Sequence, residues 1–134
     1  MIRYMLDTNM IVYAEKKNPV CVLERLLAHD PSEICISAIT MAELEYGISH
    51  SSHPAQNRTA ILLFLSGITV LPFDADAAFE YGLIRQELGS QGMPIRGNDM
   101  LIAAHAKSMD LILVTHNTRE FSRVNGLTLE DWAD

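Results

Sequence analysis

Short apolar runs alternate with helical segments along the chain, and this alternation restricts the possible folds more than any other feature. The run at 110–115 (DLILVT) is apolar inside and polar at both ends, which is typical of a central strand in a parallel sheet. Apolar runs at 2–6, 33–37 and 68–72 predict three further strands. We therefore predict one α/β domain over residues 1–134, with a doubly wound, mostly parallel sheet flanked by helices.

Glycine, proline and asparagine mark the breaks between the predicted elements. Asn18-Pro19 ends the first helical stretch, and the third helix is expected to stop near Gly47. Three glycines and one proline make 89–97 a loop, and 124–127 predicts a turn before a short last strand. The predicted helices cover 10–16, 20–28, 38–48, 55–65 and 98–107, with one more that Asp74 or Asp76 caps and that runs to Leu88.

Composition limits the function classes and the compartment. Ten basic and 17 acidic residues give a net charge of −7, which argues against a polycation that coats nucleic acid but permits local binding through a metal ion. Cys21 and Cys35 have apolar neighbours and are predicted to be free thiols. Asp7 interrupts the apolar start, and the uncharged stretch 59–73 falls short of the ~20 residues of a membrane span. We expect a soluble, cytoplasmic protein.

Three acidic residues stand where the predicted fold would bring them to one edge of the sheet. Ligands of open parallel sheets bind beyond the carboxyl ends of the strands. Asp7 follows the first strand, Glu43 lies on the helix after the second strand, and Asp99 opens a helix after a loop. Three carboxylates from separate segments predict a site for a hard cation, Mg²⁺ or alternatively Mn²⁺.

Each acid also has a simpler structural interpretation. Asp7 could cap the next helix, and Asp99 could complement the dipole of its own helix. Glu43 is harder to explain in this way, because on a helical wheel it falls between Ile39 and Tyr46. A carboxylate in such an apolar stripe costs free energy unless it is paired or holds a metal.

The remaining polar candidates are weaker. His50 and His53 have a metal-compatible spacing but no third ligand, and His105 is expected to be a core histidine. His116 follows the 110–115 strand and could contact a substrate. No phosphate-binding loop, dinucleotide fingerprint or nucleophile elbow is present. The candidate phosphate contacts are Arg3, Lys16, Lys17, Arg85 and Arg96.

Four segments carry a family resemblance: 5–9 (MLDTN), 37–47 (SAITMAELEYG), 97–106 (GNDMLIAAHA) and 113–121 (LVTHNTREF). In this order and spacing they resemble the PIN-domain ribonucleases, and most closely the VapC toxins of type II VapBC toxin–antitoxin pairs. The resemblance covers essentially the whole chain. It implies a PIN-like domain, a homodimer, a cognate VapB-type antitoxin and a single-stranded or loop RNA substrate. The last segment looks like that of members that cut the anticodon loop of initiator tRNA.

The resemblance also implies roles for individual residues. Asp7, Glu43 and Asp99 correspond to the acidic triad that binds the metal and carries catalysis. Asn117 stands where many members have a fourth acid, so this chain departs from the common pattern there. The residues with implied supporting roles are Thr8, Thr115, Asn117 and Glu120.

Combined with the three acids, the resemblance implies a Mg²⁺-dependent endoribonuclease toxin that inhibits translation and is neutralised by its antitoxin. Bare carboxylates would repel an RNA phosphate, whereas Mg²⁺ inverts the charge and activates water for in-line attack, which leaves 5′-phosphate and 3′-hydroxyl ends. A phosphoryl-accepting receiver domain is disfavoured, because Thr115 is followed by His116-Asn117 with no lysine. A catalytically inactive PIN-like module that binds RNA or a protein partner remains the alternative.

Overall fold

A single parallel sheet of five strands forms the centre of the computed structural model, which describes residues 1–134. The strand order is β3-β2-β1-β4-β5. The chain therefore adds β2 and β3 on one side of β1, and then β4 and β5 on the other side. The strands are β1 (Tyr4–Leu6), β2 (Ile34–Ser37), β3 (Thr69–Leu71), β4 (Ile112–Val114) and β5 (Leu129–Glu130). This topology confirms the predicted α/β class and places the switch point between β1 and β4.

Seven helices connect and flank the strands. Six of them were predicted to within a few residues, but the seventh is a single turn too short to produce a helical periodicity in the sequence. The helices are α1 (Thr8–Lys16), α2 (Val20–Leu27), α3 (Ala38–Ser49), α4 (Pro54–Phe64), α5 (Ala75–Ser90), α6 (Gly97–Ser108) and α7 (Thr118–Phe121).

Helix α3 ends close to Gly47, as predicted, with Ser49 rather than Ile48 as its last residue. The helix continues to Ser49, because its buried face extends through Leu44 to Ile48 beyond the glycine. A glycine inside a helix costs only about 1 kcal/mol relative to alanine. Burial of the Ile48 side chain offsets this cost, since a fully buried aliphatic side chain contributes roughly 1.5–3 kcal/mol.

The core consists of two apolar layers, one on each face of the sheet. Successive side chains of a strand point to opposite faces, so Met5 packs in one layer and Leu6 in the other. Leu113 and Val114 of β4 divide in the same way. Helices α1 to α4 cover the face with Leu6, and α5 and α6 cover the face with Met5.

Helix α6 is buried along most of its length, as its nearly continuous apolar sequence predicts. His105 on this helix is buried, and its Nδ1 lies 2.7 Å from the Ser37 hydroxyl oxygen. Burial lowers the pKa of His105, which is consistent with a neutral core histidine. The two cysteines are free, as expected. None of the helices combines the length and apolar character that a membrane crossing needs.

Candidate active site

A cleft of about 220 Å³ opens at the carboxyl ends of β1 and β4, at the switch point of the sheet. It is lined by four carboxylates, two asparagines, one threonine, one arginine and one phenylalanine. The side chains of Asp7, Glu43 and Asp99 all reach it, from three segments far apart in the chain. The complete lining is Asp7, Thr8, Asn9, Glu43, Arg96, Asp99, Asn117, Glu120 and Phe121.

Asp7 both caps α1 and lines the cleft. Its Oδ1 accepts a hydrogen bond from the backbone N–H of Met10 at 2.9 Å, and the residue is only 6% exposed. This burial raises the pKa of Asp7 to about 6, and the nearby charges of Asp99 and Glu43 act in the same direction. Hydrogen bonds from the Thr115 side chain and Met10 oppose the shift. Both desolvation and repulsion by neighbouring acids therefore disfavour the ionised form of Asp7.

Glu43 does not lie in a buried apolar stripe, so the sequence argument used for it was wrong. The buried face of α3 consists of Thr40, Leu44 and Ile48, whereas Tyr46 is 71% exposed. Glu43 is half-buried at the edge of this face, where the helix borders the cleft. Its carboxylate is satisfied by polar neighbours rather than confined among apolar ones.

Both carboxylate oxygens of Glu43 accept hydrogen bonds from other helices. The hydroxyl of Thr8 on α1 donates to Oε1, and Nδ2 of Asn98 on α6 donates to Oε2 at 3.4 Å. Glu43 is thus held in one orientation between α1 and α6. Asn98 was not singled out from the sequence, because only the folded chain brings it next to α3.

Asp99 lies in the first turn of α6 and faces the same cleft. Burial raises its pKa, and the negative charges of Glu43 and Glu120 raise it further. The guanidinium of Arg96 acts in the opposite direction. The mutual repulsion of these acids is the electrostatic condition that a bound cation relieves.

The segment after β4 forms a further wall of the cleft. Nδ2 of Asn117 donates to Oε2 of Glu120 at 2.8 Å, so the amide nitrogen is engaged and the amide oxygen is left as an acceptor. Thr115 is fully buried, and its Oγ1 accepts a hydrogen bond from the backbone N–H of Asn117. Thr115 therefore lies beneath the cleft and supports Asp7, whereas Thr8 is part of the cleft wall.

Several other candidates from the sequence lie outside this cleft. Nδ1 of His116 is 2.9 Å from Oδ2 of Asp131, and the ring is exposed. Arg3 pairs with Glu33 at the amino end of β1, on the opposite edge of the sheet. His50 and His53 are exposed. Asn9 and Phe121 line the cleft without having been predicted, although Asn9 directly follows Asp7-Thr8.

The donor set of the cleft suits a hard cation. Carboxylate, amide and hydroxyl oxygens surround it, and no histidine or cysteine does. No group of three or more acidic, histidine or cysteine side chains is arranged so that it could hold a metal ion directly. Mg²⁺ is usually bound through one or two carboxylates and keeps several of its waters, so such an ion would be held here partly through water.

Comparison with known proteins identifies the family. A PIN domain profile matches residues 4–127. The tRNA(fMet)-specific endonuclease VapC of Shigella flexneri is 47% identical over 133 residues, which cover 99% of this chain and 100% of that protein. Ribonuclease VapC2 of Haemophilus influenzae is 45% identical over 132 residues, or 98% and 99% of the two chains. A crystal structure of DNA-bound VapBC from Salmonella typhimurium aligns with a TM-score of 0.93 at 42% identity, covering 98% and 99%. The chain belongs to the PIN-domain family, among the VapC ribonucleases.

Proposed function

We propose that this chain is a metal-dependent endoribonuclease toxin that cuts the anticodon loop of initiator tRNA and thereby inhibits translation. The observation that carries this proposal is the convergence of four carboxylates in one cleft at the switch point of the sheet. The tRNA(fMet)-specific relative supports the substrate, and the solved VapBC complexes support neutralisation by a VapB-type antitoxin. Residues 1–134 act as one domain in the cytoplasm.

Divalent-metal dependence is general among PIN-domain nucleases, and we assign Mg²⁺ to this chain. Asp7, Glu43 and Asp99 would hold the ion, in part through its bound waters, and Thr8, Thr115, Asn117 and Glu120 would support them. When bound, the ion neutralises the acidic cleft, polarises the phosphoryl group and activates water. Asp7 is fixed by its bond to Met10, and Glu43 is fixed by Thr8 and Asn98, so both carboxylates are oriented before the substrate arrives.

The reaction is hydrolysis of one phosphodiester bond. Water adds to phosphorus in line with the leaving oxygen, the bond from phosphorus to the 3′ oxygen breaks, and that oxygen gains a proton. The products are a 5′-phosphate and a 3′-hydroxyl end. Because this attack does not use the 2′-hydroxyl, preference for RNA must come from recognition of the folded loop.

The direct test is incubation of purified protein with initiator tRNA in Mg²⁺, followed by mapping of the new 5′ ends. We expect one main cut in the anticodon loop, no cut in EDTA, and recovery when Mg²⁺ is restored. An elongator tRNA serves as the substrate control. Binding of the tRNA without any cleavage would overturn the proposal in favour of an inactive RNA-binding module.

Asn117 is expected to support the site without being essential. Its amide oxygen is a neutral ligand, so it attracts a hard cation less strongly than a carboxylate does. Asn117→Ala should lower activity several-fold, and Asn117→Asp should lower the Mg²⁺ concentration needed for half-maximal activity. The double variant Asn117→Ala with Glu120→Gln should lose more cleavage activity than the losses of the two single variants combined. Mg²⁺ titration of activity tests all of these proteins.

Complete loss of activity in Asn117→Ala, equal to that of Asp99→Asn, would contradict a merely supporting role for Asn117. It would mean that Asn117 orients the attacking water or the scissile phosphate.

We further propose that the protein is a homodimer. Hydrophobic residues make up 49% of the chain, and large apolar side chains are exposed on consecutive elements. Light scattering at micromolar concentration should give a dimer, and Phe79→Asp with Leu83→Asp should shift it toward the monomer. A strictly monomeric wild-type protein would contradict the proposal. The exposed apolar residues on α4, β3 and α5 are Leu62, Leu63, Val70, Phe79 and Leu83.

A further inference from the structure

Arg96 is the only cationic residue that lines the carboxylate cleft. It directly precedes α6 and is exposed to solvent. Its side chain forms no salt bridge, although four carboxylates line the same cleft. The charge of Arg96 lowers the pKa of Asp99, so the guanidinium is near these acids without being paired to one of them. Its N–H donors are available to a ligand.

A second cavity of about 290 Å³ adjoins the cleft on the α6 side. Its lining includes Gly97 and Asn98, and it shares Glu43, Arg96 and Asp99 with the first cleft. Asn98 is hydrogen-bonded to Glu43, which keeps the Glu43 carboxylate fixed between the two spaces. Arg96 therefore borders both the carboxylate cleft and an adjoining cavity large enough for a further group of a bound chain.

A role as a simple counter-ion does not explain this placement. A guanidinium close to the acids repels a divalent cation and weakens its binding. It is, however, suited to an RNA phosphate, because its planar fork can donate two parallel hydrogen bonds to phosphate oxygens. An RNA strand presents phosphates on both sides of the one that is cut.

We propose that Arg96 binds the phosphate next to the scissile one and holds the RNA strand in the adjoining cavity. This inference rests on the proposed ribonuclease function. Arg96 acts as a positioning residue for the substrate and is not a metal ligand. Its loss should affect substrate capture more than the chemical step, because the carboxylates that would hold the metal ion remain in place.

The test compares Arg96→Gln, Arg96→Lys and the control Arg25→Gln in steady-state cleavage of initiator tRNA with Mg²⁺ at several KCl concentrations. Arg25 is an exposed arginine on α2 that donates to the backbone carbonyl of Asp131 and lies outside both cavities. Arg96→Gln should raise KM about tenfold, as expected for a lost charged hydrogen bond, and change kcat less than about twofold. The slope of log(kcat/KM) against log[KCl] should become shallower by about 0.7 for one lost phosphate contact.

Arg96→Lys should retain the wild-type salt slope, because it keeps the charge, but should recover KM only in part. Arg25→Gln should match the wild type in both quantities. Without RNA, calorimetric titration with Mn²⁺ should show tighter binding to Arg96→Gln, because a repulsive charge has been removed. Arg96→Gln is therefore expected to weaken RNA capture and to strengthen metal binding.

Wild-type KM and salt slope in Arg96→Gln would overturn this inference and leave the proposed function intact. Weaker Mn²⁺ binding by Arg96→Gln would also overturn it, because Arg96 would then act by organising the carboxylates. Failure of the wild-type protein to cut RNA would overturn the proposed function, and this inference with it.

Discussion

Replacement of Asp99 by asparagine is expected to lower RNA cleavage at least about 100-fold while the fold survives. Loss of even an outer partner of a metal ligand typically costs 10- to 100-fold, and loss of a ligand should cost no less. Asparagine has almost the same shape and removes a negative charge that burial, Glu43 and Glu120 already disfavour. Cleavage of initiator tRNA and thermal unfolding measure the two effects.

Asp76→Asn is a closely matched control. Asp76 also lies in the first turn of a helix, α5, but it is exposed and outside the cleft. This variant should cleave at the wild-type rate. Substantial activity in Asp99→Asn would refute the assignment of Asp99 as a metal ligand, and a melting temperature well below that of the wild type would assign the acid a structural role.

Asp7→Asn is expected to abolish cleavage and to stabilise the metal-free protein at neutral pH. The pKa of Asp7 rises from its ordinary value of 3.8 to about 6 in the folded chain, so ionisation favours unfolding. Two pKa units correspond to about 3 kcal/mol, so a gain of about 1–3 kcal/mol is expected at pH 7.5 in EDTA. Asparagine also serves well as a helix N-cap, so the bond to Met10 can be kept.

The sign of the pH dependence follows from the direction of this shift. As the pH falls through 6, the folded wild-type protein takes up a proton and gains stability relative to Asp7→Asn. The difference between the two proteins should fall below about 1 kcal/mol near pH 4 and disappear at lower pH, where Asp7 is protonated in both the folded and the unfolded state. Urea unfolding in EDTA at pH 7.5, 6 and 4.5, at one protein concentration, measures this trend.

Added Mg²⁺ should stabilise the wild-type protein and have little effect on Asp7→Asn, because a ligand stabilises only the state that binds it. A variant less stable than the wild type at pH 7.5 would show that the Asp7 charge supports the fold. A stability difference independent of pH would show that Asp7 does not titrate near 6.

The sequence alone determined the fold class and the identity of most cleft residues. Strands as short as three residues, such as Tyr4–Leu6 and Ile112–Val114, were still recognisable because both faces of a central parallel strand are buried and must be apolar. Asp7 and Asp99 were recognisable because Asp7 directly follows a strand and Asp99 opens a nearly all-apolar helix, although each could also have had only a capping or dipole role. These are local patterns, and local physical chemistry suffices to interpret them.

Only the tertiary structure decided how those residues meet. Glu43 was selected for a reason that proved wrong, because a helical wheel does not reveal which side of α3 faces the core and which side faces a cleft. The same limit applied to the arginines: Arg3 and Arg96 were equivalent candidates, yet the fold places one at the amino edge of the sheet and the other in the cleft. Such placements depend on strand order and on contacts between residues as far apart as Glu43 and Asn98. Pairings of this kind are set by packing of the whole chain, and a local pattern does not contain them.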